Sequence, residues 1–251
     1  MSLRQIILFA ALGAALLPSA AGAAPRSSSV IQTAQPTCNL PESNAEALVI
    51  LSNYYPGYWW DHTNLRIAVQ AHPKATQEQI DAVQAAIARW SEVLLDCFDG
   101  LITLEDVTGE QRRLADIVVH FVPTAGGVVF GGYAICGAHR CPNVLVRSDL
   151  PPSLDREPYS PEYIGWVALH EIGHALGLGH ATNLLESTDL MGYGWPSLGD
   201  PVLSQCDVEA LAFVFAWALE GTDPAPPDPG PFVCTTQNED ARGAGKARRV
   251  R

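Results

Sequence analysis

The sequence reads as an α+β domain, and three observations lead there. Five segments carry strand patterns, at residues 65–70, 102–107, 116–123, 133–135 and 143–147. Three segments carry a helical repeat behind a capping residue, beginning at Thr76, Ser160 and Ser204. The second of these helices bears His170-Glu171-Ile172-Gly173-His174-Ala175-Leu176-Gly177-Leu178-Gly179-His180, in which chemistry-bearing residues recur at helical spacing.

Taken in order, the chain begins with a targeting segment. Arg4 precedes an apolar run over residues 6–17 and small residues over 19–24, so residues 1–23 read as a signal peptide. The apolar run is short for a bilayer span, and no stable membrane insertion is expected after processing. Residues 24–45, rich in Ala, Ser, Thr and Pro, read as a flexible lead-in or short pro-segment. Residues 46–221 read as the folded domain, and residues 222–251 as a proline-rich and basic tail.

Within the domain, residues 65–70 alternate as a first strand. Thr76 opens a helix with Gln79 in the capping-box position, and Ile80, Val83, Ile87, Trp90 and Leu94 form its apolar stripe up to Asp99-Gly100. The strand over 116–123 is apolar on both faces, which predicts a central strand covered on both sides. A glycine-rich stretch over 126–138 contains a short strand at Tyr133, Ala134 and Ile135, and 143–147 reads as the last strand. The motif helix starts at Ser160 as N-cap, with Pro161 at its first position and Glu162 near the positive end of the dipole. Ser204 caps a last helix, with Asp207 three residues on and Val208, Leu211, Ala212, Phe215 and Leu219 along one face.

The motif carries the chemistry. His170 and His174 lie one turn apart on one helix face, and two imidazoles so placed can bind one Zn²⁺. Gly177 can end the helix in the left-handed conformation, so that the chain turns and His180 supplies a third ligand. Three protein ligands leave a position open to water, the catalytic rather than the structural arrangement. Glu171 is placed to take a proton from that water.

These residues resemble the elongated zinc signature of the metzincin metallopeptidases. That family has a methionine-containing turn beneath the zinc, and Met191 in Ser187-Thr188-Asp189-Leu190-Met191-Gly192-Tyr193 stands at a fitting distance. The order strand, helix, strand, strand is similar to the N-terminal half of a matrixin catalytic domain, and residues 115–121 and 203–208 resemble its third strand and last helix. The resemblance implies a metzincin (zincin-like) fold: a twisted mixed five-stranded sheet with three main helices. It also implies a zinc endopeptidase using one catalytic Zn²⁺, with Tyr133, Ala134 and Ile135 on an edge strand that pairs with an extended protein or peptide substrate. Matrixins hold a second zinc and calcium through a His-x-Asp pattern, which is not found here; Ca²⁺ has no support in the sequence. Two residues depart from matrixins. Tyr193 stands where they carry proline, as in astacins and serralysins, whose tyrosine binds zinc and stabilises the transition state. Ala181 follows the third histidine, where matrixins carry serine and astacins glutamate.

Composition bounds the rest. A formal charge of −12 argues against a nucleic-acid partner. The six cysteines suggest three disulfides in an oxidising compartment, extracellular or periplasmic. Cys136 and Cys141 bracket a short loop and are the expected local pair; Cys38, Cys97, Cys206 and Cys234 have no pairing readable from spacing. The expected protein is a secreted monomer. The alternative is a non-catalytic binding protein on the same scaffold, against which the presence of a general base, Glu171, argues.

Overall fold

The computed structural model describes residue 36 and residues 38–53, 59–109, 112–122, 132–136, 142–148, 159–193, 199–227 and 230–234. The signal-peptide reading therefore lies outside the described residues, as does Cys141. The elements in chain order are β1 (Ala47–Ile50), β2 (Asn64–Gln70), α1 (Gln77–Cys97), β3 (Thr103–Asp106), β4 (Ile117–Val122), β5 (Gly132–Ile135) and β6 (Asn143–Arg147). The motif helix α2 (Pro161–Leu176), β7 (Leu178–Ala181), α3 (Gln205–Val214), α4 (Ala216–Leu219) and β8 (Phe232–Val233) follow. Among the described residues, no helix is long and apolar enough to cross a membrane.

The main sheet has five strands in the order β3-β2-β4-β6-β5. The β2/β3, β2/β4 and β4/β6 pairs are parallel and β5/β6 is antiparallel, so the sheet is mixed with β5 at one edge. Parallel neighbours need a crossover, and α1 supplies the one between β2 and β3. Both halves of the expected capping box form at its start: Gln79 N–H donates to Thr76 Oγ1, and Thr76 N–H donates to Gln79 Oε1. The buried stripe of α1 includes Val83, Ile87, Trp90 and Leu94. Trp90 also donates its indole N–H to Leu169 O at 2.8 Å, which satisfies the polar atom of a buried ring and ties α1 to α2.

β4 is central, but it does not have two equivalent faces. Ile117, Val119 and Phe121 are buried, whereas Val118, His120 and Val122 are half-buried. The helices α1 and α2 pack on one another. They therefore share one side of the sheet, and only alternate residues of β4 reach the core. The last helix also departs from expectation. It is interrupted at Phe215, at φ −102° and ψ 23°, whose fully buried ring anchors the junction of α3 and α4.

A second sheet, in the order β7-β1-β8, gathers three segments far apart in sequence. β1 pairs antiparallel with both β7 and β8. Disulfides Cys38–Cys97 and Cys206–Cys234 fasten the outlying ends. With sequence separations of 59 and 28, each restricts the unfolded chain by roughly 3–4 kcal/mol. Residues 38–45, expected as the end of a flexible lead-in, and 232–234, expected as tail, are thus bound to the domain.

A buried acidic pair joins these pieces. Asp189 and Asp207 are both fully buried. Asp207 caps α3 reciprocally with Ser204, and Asp189 accepts Ser204 Oγ–H at 2.7 Å. Burial pushes the Asp207 carboxyl well above its ordinary 3.8, the charge of Asp189 adds to the rise, and the two carboxyls share a hydrogen bond. A raised carboxyl pKa means that the folded chain keeps a proton that the unfolded chain releases, so stability falls as pH rises from the ordinary value through the raised one. Asp207→Asn mimics the protonated form. It should gain stability relative to the wild type with rising pH, as measured by thermal unfolding of both chains from acid to mildly alkaline buffer.

Candidate active site

The site is built on the C-terminal half of α2 and on β7. Ser160 Oγ accepts Tyr163 N–H at the start of α2, with Pro161 in the first turn. The helix stops at Gly177, φ 118°, whose N–H closes on Gly173 O and His174 O. A side chain there would be strained, and its Cβ would also lie 2.8 Å from Val214 Cγ1. The chain then reverses at once into β7, which carries His180.

Helix and strand bring His170, His174 and His180 together, each with a ring nitrogen within 4.8 Å of the others; among the described residues this is the one such group of three or more His, Cys, Asp or Glu. His170 Nδ1 lies 2.6 Å from Leu190 O, and His174 Nδ1 lies 2.7 Å from Leu178 O. A carbonyl can only accept, so both Nδ1 atoms carry the hydrogen and both Nε2 atoms present lone pairs. His174 Nε2 is 3.1 Å from His180 Nε2. Burial lowers the pKa of all three rings, that of His174 to about 3, and the neighbouring imidazoles lower His170 and His174 further. Neutral imidazoles with converging lone pairs are the donor set that Zn²⁺ takes, and three of them leave a fourth position for solvent or substrate.

Glu171 sits beside His170, buried, with its carboxylate accepting Ala134 N–H from β5. Burial pushes its pKa from 4.5 to about 8, against the lowering effect of that hydrogen bond. Its Oε2 is buried with no hydrogen-bond partner among the described residues. Tyr193 places its hydroxyl 2.8 Å from His180 Nε2, with its ring partly exposed. Met191 is fully buried beneath the helix, with its Sδ only 2.7 Å from where a Cβ on Gly173 would stand.

Of the three edge-strand residues, Ala134 is the one that bonds to Glu171. Tyr133 and Ile135 are exposed, and Ala134 is half-buried. The sequence reading overlooked Gly132. A Cβ there would come within 2.6 Å of Val167 Cγ1, 2.8 Å of Leu145 O and 3.0 Å of Glu171 Cγ, so the missing side chain is what lets β5 approach α2. The glycine-rich composition of residues 126–138 was the available signal. Asp189 was also overlooked; it accepts Met191 N–H at 2.9 Å and so shapes the methionine turn. Of the other histidines, His120 pairs its Nε2 with Asn143 Oδ1 between neighbouring strands, and His62 lies beside Asp61, both away from the cluster. Cys136 is disulfide-bonded, and its expected partner Cys141 lies outside the described residues.

Comparison with known proteins is consistent with this geometry. The family model for matrixin, a peptidase family, matches residues 58–212. Interstitial collagenase of Bos taurus is 28% identical over 216 residues, and that of Sus scrofa 27% over 212. Each alignment covers 81% of this chain and 41% of the collagenase, so the chain spans well under half the length of these relatives. Among solved structures, myroilysin matches with a TM-score of 0.32 and 17% identity, covering 72% of each chain. High choriolytic enzyme 1, a hatching-enzyme zinc protease of Oryzias latipes, matches with a TM-score of 0.28 and 14% identity, covering 49% of this chain and 50% of the other.

The contact between Gly173 and Met191 makes a direct prediction. Gly173→Ala puts a methyl group against Met191 Sδ, one residue before His174. Overpacking of this kind costs about 1–3 kcal/mol, beyond what the better helix propensity of alanine returns. Denaturant unfolding should therefore show a lower midpoint for Gly173→Ala than for the wild type.

Proposed function

Since the chain belongs to the matrixin family of zinc metallopeptidases, we propose that it is a secreted endopeptidase in which His170, His174 and His180 hold one zinc and Glu171 is the general base. The observation that carries this reading is the convergence of three neutral imidazoles next to a buried carboxyl with an unengaged oxygen. Bound zinc would supply an acidified water and a Lewis acid for the scissile carbonyl. The remaining roles fall to the chain. Glu171, whose affinity for protons is high for a carboxyl, takes a proton at its free Oε2 as a water oxygen bonds to the carbonyl carbon. It returns that proton to the leaving nitrogen when the C–N bond breaks.

The edge strand supplies a template for the substrate. β5 ends the sheet, and its outer backbone groups can be completed by an extended peptide whatever its side chains. Tyr133, Ala134 and Ile135 are the proposed contacts. The hydroxyl of Tyr193 is assigned a hydrogen bond to charge developing on the carbonyl oxygen, a reading supported by its place 2.8 Å from His180 Nε2. Secretion is supported by the N-terminal segment and by the disulfides, which persist in oxidising compartments. The proposed catalytic domain is the expected 46–221, extended by the anchored segments 38–45 and 232–234.

The decisive experiment is cleavage of a mixed peptide library with and without a chelator. Zinc-dependent cleavage is expected, and a zinc-loaded protein that cuts nothing would refute the reading. Glu171→Gln should retain zinc by metal analysis while losing turnover by several orders of magnitude; near-normal rates in that variant would remove the base from the mechanism.

Tyr193→Phe separates a transition-state role from wall packing. Loss of one such donor costs about 10²–10³ in kcat with little change in KM. An unchanged kcat would assign the phenol to packing alone.

A further inference from the structure

We propose that residues 38–51, which lie ahead of the matrixin-matched region, are a positioning strap for the zinc centre, with the hydrogen bond from Ser43 to Asp189 as its fastening point. The proposal rests on the reading of the three histidines as zinc ligands. It implies that any N-terminal processing of the active protein stops short of Cys38.

The strap reaches the backbone that aims each histidine. His180 lies on β7, and β1 of the strap pairs with that strand, Leu48 opposite Ala181 and Ile50 opposite Leu178. The same Leu178 offers the carbonyl that orients His174. Two more backbone bonds extend the pairing: Thr182 N–H to Ala47 O at 2.9 Å, and Leu51 N–H to Gly177 O at 3.0 Å. Gly179 fits under the strap only because it lacks a side chain, as a Cβ there would lie 2.7 Å from Val49 O.

The third histidine is reached through the methionine turn. Ser43 Oγ–H donates to Asp189 Oδ2 at 2.6 Å, and Asp189 Oδ1 accepts Met191 N–H at 2.9 Å. Between these two residues, Leu190 offers its carbonyl to His170 Nδ1 at 2.6 Å. Asn44 holds the preceding loop: its side chain donates to Glu186 O and accepts Thr188 N–H, while its carbonyl accepts the side-chain amide of Asn183. The far end of the strap is tied down independently. Cys38 is bonded to Cys97 at the end of α1, Leu40 N–H donates to Gln205 Oε1, and Pro41 O accepts Gln205 N–H.

Such an arrangement does more than add stability. Residues that orient metal-binding imidazoles through their second nitrogen typically change metal affinity or activity by about 10–100-fold when lost. A segment that only packs would change unfolding and leave zinc affinity alone.

The test uses the full chain expressed for export, with zinc affinity read by competition against a chromogenic chelator at a temperature where every variant is folded by circular dichroism. Ser43→Ala should weaken zinc binding by more than about threefold, toward the low end of the range for groups that orient metal ligands because Asp189 Oδ2 keeps its bond from Ser204, and Ser43→Thr, which keeps the hydroxyl, should restore it. Asp189→Asn, read in the same way, serves should Ser43→Ala not fold. Zinc affinity within about threefold of the wild type in a folded variant overturns the proposal, even where its melting temperature has fallen. Intact-mass analysis of the exported protein gives an independent reading: an active form beginning beyond Cys38 also overturns it. A wild type that binds no zinc would instead sink the underlying assignment of the three histidines, so the two failures are distinguishable.

Discussion

Two hydrogen bonds carry the geometry of the site: His170 Nδ1 to Leu190 O and His174 Nδ1 to Leu178 O. Each fixes a ring plane and a tautomer in one step, because a carbonyl admits only a donor. With the Nδ1 hydrogens committed, the lone pairs on Nε2 point to a common place. Nothing within α2 could do this alone. The helix sets the spacing of His170 and His174, but both orienting carbonyls come from segments that follow it, β7 and the methionine turn. The rest of the fold can be understood as what keeps those two carbonyls in place.

Burial shapes the electrostatics to the same end. A histidine in water is partly protonated near neutral pH and competes poorly for metal. Here desolvation and mutual proximity hold the rings neutral, while desolvation works in the opposite sense on Glu171 and raises its affinity for protons. One dry environment thus yields good nitrogen donors and a strong carboxyl base side by side. The second buried acid, Asp207, is raised by the same cause, but it caps a helix and shares a hydrogen bond with Asp189 instead of facing the cluster. A perturbed carboxyl alone would not have distinguished the two; their partners do.

What was legible in the sequence follows interaction range. The motif helix, its N-cap at Ser160 and its stop at Gly177 are local, set within a few residues, and so are the capping boxes at Thr76 and Ser204. The edge position of residues 133–135 came with the family resemblance, as did the place of Met191. The β7-β1-β8 sheet was not legible, because β1 meets β7 across more than a hundred residues and β8 has only two. Cysteine spacing could not pair Cys38 with Cys97 for the same reason. The expected two-sided cover of β4 failed because its apolar run resembles a fully buried strand, whereas α1 and α2 share a single face. Gly132 and Asp189 act through contacts with residues distant in sequence, which composition signals only as a glycine-rich stretch and an ordinary acid.

Tyr193 shows how local constraints limit what this site can do. Its hydroxyl lies 2.8 Å from His180 Nε2, the same atom whose lone pair a metal would use. A phenol and a metal can share that region only if the hydroxyl becomes an oxygen ligand or swings away. The backbone is held at this point: Tyr193 N–H donates to Leu184 O at 2.6 Å, and a Cβ on Gly192 would meet Ser187 O at 2.6 Å. With that backbone in place, the change open to the residue is rotation of its side chain. The ring is 41% exposed, so it is not packed on every side. With the backbone bonded and the ring partly exposed, an exchange of the bond to His180 for one to metal or substrate would need only side-chain rotation and would leave the methionine turn in place.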